Sequence, residues 1–130
     1  MSVELKILAW GCLLAFVHIF AAAAVKTRQY GSRWNMGARD GPLPEPKPLV
    51  GRLMRAQANF FETFPIMAAA LLMVAASGRS TGATQAAAVI WLGARILYLP
   101  LYAAGIPVVR SLVFAVSVAA IVIVLWPVLF

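Results

Sequence analysis

LVGRLMRAQANFFETFPIMAAALLMVAAS, residues 49–77, is long and apolar enough to cross a bilayer, yet its first half carries Arg52, Arg55, Gln57, Asn59 and Glu62. A membrane-spanning helix needs about 20 mostly apolar residues. A charge at membrane depth costs about 3 kcal/mol or more, so such residues are rare, face inward and mark a site. The stretch therefore speaks both for the architecture and for the place where chemistry is to be sought.

Outward from it, the rest of the chain reads the same way. Of 130 residues, 63% are hydrophobic and 12% charged, against roughly 45–50% and about 25% in soluble domains. Further apolar runs at about 5–25, 83–102 and 108–129 join 49–77 as spans and leave a loop at 26–48. The connections SGRSTG (77–82) and AAGIP (103–107) are short, which forces antiparallel neighbours. The expectation is an all-α membrane protein: one integral membrane domain over 1–130, built as an antiparallel bundle of four transmembrane helices. Pro65 should kink the second span near Phe61. The first span has a weakly charged flank (Glu4, Lys6) and a run longer than a secretion signal. It is expected to be retained; cleavage after the AAAA at 21–24 is the alternative.

The net charge of +7 is uneven. Lys26, Arg28, Arg33, Arg39 and Lys47 lie between spans one and two, whereas only Arg79 lies between spans two and three. Loop cations mark the cytoplasmic side, so both termini are expected outside the cytoplasm, with Lys6 arguing weakly the other way. The basic loop meets membrane lipid headgroups in this reading. Nothing in it resembles a nucleic-acid-binding surface of basic and aromatic residues. Cys12 is the only cysteine, which rules out an intrachain disulfide or a CxxC redox pair; it is expected to pack inside. His18 has no Cys, Asp or Glu at metal-ligand spacing, so it is expected to be packed or hydrogen-bonded, and no metal site is expected.

Helical geometry turns spacing into direction, at about 100° per residue. With Arg52 at zero, Arg55, Asn59, Glu62 and Thr63 all fall within about 80° of it, on one stripe. Gln57 lies roughly 140° away. On span three, Arg95, Tyr98 and Tyr102 form a second stripe, and Arg110 opens span four. Four arginines, at 52, 55, 95 and 110, face the single acid Glu62. A buried charge without a partner is strongly destabilising, so the excess implies a missing anion. The arginine fork suits carboxylates, which points to a small ligand with more than one carboxylate. On the alternative reading, Arg52 and Arg110 snorkel to headgroups while Arg55 and Arg95 pair with Glu62.

RAQANFFETFP (Arg55–Pro65) with GARILYLPLYAAGIPVVRS (Gly93–Ser111) resembles the MAPEG family, the membrane-associated proteins of eicosanoid and glutathione metabolism, in its short bacterial form. The resemblance implies a homotrimer of four-helix protomers in the bacterial inner membrane, with glutathione as co-substrate at protomer boundaries near the cytoplasmic side. It implies that Arg55, Asn59 and Glu62 bind glutathione, that Gln57 serves the neighbouring protomer's site, and that Arg52 lies beside them. Arg95, Tyr98 and Tyr102 match the polar positions of the family's third helix, and Arg110 the arginine that activates the thiol. The family's first-helix arginine has Arg28 as best counterpart, with Lys26 and Arg33 as rivals. Thr63 departs from the pattern, standing where several eukaryotic members have tyrosine.

The activity so implied is glutathione-dependent transferase or peroxidase chemistry on a lipophilic small molecule. Arg110 would stabilise the thiolate, with Tyr98 and Tyr102 as rival hydroxyl donors. A non-catalytic scaffold that binds a lipid or partner is the alternative, because the family includes such a member. A small multidrug carrier is the third reading; it needs a proton-exchanging carboxylate deep in a span, and Glu62 sits among arginines that hold it ionised.

Overall fold

The computed structural model describes all 130 residues. Five helices follow one another: α1 (Val3–Tyr30), α2 (Ser32–Met36), α3 (Pro48–Ser77), α4 (Gly82–Ala103) and α5 (Pro107–Leu129). The four long ones are each long and apolar enough to cross a membrane, and there is no strand. They form the expected four-helix bundle.

The start and stop signals are local. Ser2 caps α1 by accepting from the Leu5 amide. Thr81 and Thr84 close a reciprocal capping box on α4. Prolines sit at the first turns of α3 and α5, where a missing N–H costs nothing. α3 continues through Pro65 as one helix to Ser77. The loop at 26–48 is shorter than expected: VKTRQY contains no breaker, so α1 runs on to Tyr30 and stops at Gly31, whose φ is 94°. The remaining connection folds back on α1. Gln29 Nε2 donates to the Glu45 carbonyl at 2.9 Å, Gln29 Oε1 accepts from the Lys47 amide at 2.8 Å, and Tyr30 donates to the Pro44 carbonyl at 3.0 Å.

α3 and α4 form the middle of the bundle. α1 packs on both, α5 packs on both, and no α-carbon of α1 lies within 8 Å of one in α5. The α3 face at Val50, Leu53, Ala56, Phe60, Met67, Ala70, Leu71 and Val74 is buried, the three-and-four spacing of one helical stripe. It meets Ala87, Ala88 and Trp91 of α4 and Ala120, Ile121 and Val124 of α5. Phe60, Phe64 and Trp91 stack through the centre, and His18 lies on Phe60 with ring centroids 4.6 Å apart. His18 is thus packed, with no hydrogen bond at either ring nitrogen. Cys12 corrects its expectation: it faces off the bundle and is exposed. Only 24 of 130 residues are buried, so most apolar side chains face outward. That exterior suits hydrocarbon and does not suit water.

Candidate functional site

The α4–α5 turn comes down onto the first turns of α3. α4 ends in a Schellman arrangement: Ile106 N–H donates to the Leu101 carbonyl at 3.1 Å, and Gly105 N–H to the Tyr102 carbonyl at 3.0 Å. Gly105 has φ 74°. Arg52 reaches across from α3, and its Nη1 donates to the Ala103 carbonyl at 3.2 Å. That carbonyl is one of the last-turn acceptors without an intrahelical partner, and a cation there also meets the negative helix end. The guanidinium lies so close to Gly105 that a Cβ would stand 2.9 Å from Arg52 Cζ.

Around this junction lies an open hollow of about 260 Å³, lined by Arg52, Arg55, Tyr102, Gly105, Pro107 and Arg110. Three guanidiniums and no acid make it an anion-attracting site. Arg110 stacks over the Tyr102 ring at 4.6 Å, and Arg55 approaches the same ring at 6.0 Å. Larger hollows on the molecule are almost wholly apolar and lie on its outward faces, as between Trp10, Leu13, Val17, Leu92 and Ile96. Those suit acyl chains.

A second, deeper tier lies below. The buried stripe of α4 runs Thr84, Ala87, Ala88, Trp91, Arg95, Tyr98. Arg95 therefore points into the core and not into the hollow; it is wholly buried. Its Nη1 donates to Asn59 Oδ1 at 2.9 Å. Its charge rests on the rings of Tyr98 at 4.4 Å and Phe60 at 5.3 Å. Tyr98 packs edge-on against Tyr102 at 5.5 Å. The two tiers are thus joined through aromatic rings, from Arg95 to Tyr98 to Tyr102 to Arg110.

Of the residues singled out from sequence, Arg52, Arg55, Tyr102 and Arg110 meet in the hollow, and Arg95, Asn59 and Tyr98 meet beneath it. Glu62 and Arg28 are exposed, Gln57 is half-buried, and none of the three lines the hollow of a single protomer. The pairing of Arg95 with Glu62 does not form, since Arg95 bonds to Asn59 alone. Thr63 donates to the Asn59 carbonyl on its own helix at 3.4 Å. Gly105 and Pro107 were legible only as a reversal. The hint of more was a glycine just past a helix, facing an arginine-bearing stripe across a tight turn.

No curated protein matches the chain. The family comparison is positive: a model of the MAPEG family matches residues 7–130, nearly the whole length, and takes in all four long helices and both tiers of the site. The chain is an integral membrane protein and belongs to the MAPEG family.

Proposed function

We propose that the protein is a glutathione-dependent transferase or peroxidase acting on lipophilic electrophiles or lipid hydroperoxides. The observation that carries this reading is the hollow of three arginines and one tyrosine with no acid among them. Glutathione has two carboxylates, and the arginine fork can hold a carboxylate with two parallel hydrogen bonds. Arg52 and Arg55 are the carboxylate partners. Arg110, stacked on Tyr102, stands against the thiol; a guanidinium lowers a thiol's pKa without moving a proton. The thiolate so favoured is the nucleophile that glutathione supplies. The lipophilic partner comes from the bilayer along the apolar outer faces. The hollow lies at the same end of the bundle as the basic residues Arg28, Arg33, Arg39 and Lys47, which supports a site facing the cytoplasm from the bacterial inner membrane. Both termini are then outside.

Glu62 and Arg28 join the arginines as glutathione contacts, and Gln57 serves the site of a neighbouring copy in a homotrimer. Glu62 supplies the acid that the ligand's amine needs and the hollow lacks.

Calorimetric titration of glutathione into detergent-solubilised protein tests the reading. Saturable binding, with conjugation or hydroperoxide reduction on a panel of hydrophobic substrates, is expected. No binding ends the proposal. Binding without any turnover transfers the site to a lipid- or partner-binding scaffold, the non-catalytic kind of member.

A further inference from the structure

Arg95 is a cation in the core with no acid beside it. The chain has four acids. Glu4 is held by Ser80 and Thr84, Asp40 and Glu45 lie in the exposed loop, and Glu62 is exposed. Arg95 Nε and Nη2 have no hydrogen-bond partner, and Nη1 has only Asn59. A well-packed apolar residue often serves stability as well as a buried charge or better. The charge therefore needs another reason.

That reason lies at Asn59. A guanidinium can only donate, so the amide oxygen of Asn59 must face Arg95. The amide nitrogen is thereby turned the other way, as a donor. It has no partner in the protein and is not enclosed, for Asn59 is half-buried. Asn59 shares the α3 stripe with Arg52 and Arg55, one turn from Arg55, or about 6 Å along the helix. Stacking of Arg95 on Tyr98 and Phe60 holds the guanidinium plane, and the plane holds the amide.

We propose that Arg95 is a positioning residue: it fixes the Asn59 amide so that Nδ2 donates to a carboxylate or peptide oxygen of the ligand bound at the arginine hollow. Arg95 does not touch the ligand. The proposal rests on glutathione occupying that site.

The test is a double-mutant cycle on glutathione affinity, read by calorimetry, with Arg95→Met, Asn59→Ala and the pair. Arg95→Met is expected to weaken binding roughly tenfold, about the worth of one misdirected hydrogen bond to a charged group, and to weaken it no further once Asn59 is alanine. Arg95→Lys, whose Nζ can still donate to Oδ1, recovers part of the loss. In turnover, Arg95→Met raises the glutathione KM more than it lowers kcat. Asn59→Asp keeps the shape and pairs with Arg95, so it stays folded; it removes the outward donor and is expected to lose binding at least as far as Asn59→Ala. Additive losses in the cycle, or Asn59→Asp binding like the unaltered protein, overturn the positioning role while leaving the glutathione reading intact. Absence of binding by the unaltered protein overturns both.

Discussion

Tyr102 has a guanidinium over its ring at 4.6 Å and a second at 6.0 Å. A cation over an aromatic face is attracted by about 0.5–1 kcal/mol at exposed sites. The ring therefore aims Arg110 without consuming any of its five N–H donors. Arg110→Ala leaves Tyr102, Arg52 and Arg55 able to bind, yet removes the charge assigned to the thiol. The expected result is a loss of the glutathione thiolate's ultraviolet absorbance and a fall in turnover of about 10- to 100-fold, at little cost in glutathione affinity. A normal thiolate signal removes Arg110 from the role. Gly105 is the second decisive residue. Its φ of 74° disfavours any side chain, and a Cβ would meet Arg52 at 2.9 Å. Gly105→Ala is expected to cost about 1–2 kcal/mol of stability and to push Arg52 off the Ala103 carbonyl. Thermal unfolding in detergent and glutathione titration would read the two effects separately. Here the limits of the sequence are plain. The 100° rule put Arg52, Arg55 and Asn59 on one stripe. It could not say that Arg95 belongs to a different depth, because that depends on which face α4 turns to α3.

At the scale of elements, each end of the bundle is tied by a charged side chain that reaches a terminus of α4. At one end Arg52 of α3 takes the last-turn carbonyl of α4. At the other, Glu4 of α1 sits by the first turn of α4, where negative charge is favoured. Glu4 Oε1 accepts from Ser80 at 2.6 Å and from Thr84 at 3.0 Å, and Arg79 donates to the Pro127 carbonyl nearby. Glu4 is wholly buried. Glu4→Ala is expected to destabilise the fold by about 2–3 kcal/mol, because it strips a charged acceptor from two hydroxyls. Glu4→Gln keeps an acceptor and should lose less. Chemical denaturation in mild detergent compares them, and equal stability of all three proteins would show that the clasp carries no weight. The number and order of the long helices and three of their four sets of ends were readable from apolar length, prolines and glycines; the short α2 inside the expected loop was not. The end of α1 was not: the Pro- and Gly-rich tail of the loop masked a continuous helical run up to Gly31.

For the whole molecule, the distribution of burial divides the surface. Apolar residues such as Phe16, Phe20, Ile66, Val89, Leu112 and Trp126 are exposed over most of the bundle's height, while exposed cations gather at the end that holds the hollow. Glu62, Gln57 and Arg28 were each singled out by resemblance to a different family position. None of the three lines the hollow of one protomer, and spacing along one helix could not show that. The lone outward thiol at Cys12 has a use in this connection. It lies partway along α1 on a surface that carries no other sulfhydryl, so every copy offers one chemically identical handle with no engineering. A nitroxide attached there turns subunit number into a spin-counting and distance problem. Dipolar spectroscopy on a threefold ring should give three coupled spins at one common separation, whereas a pair gives two and an isolated bundle gives no coupling at all.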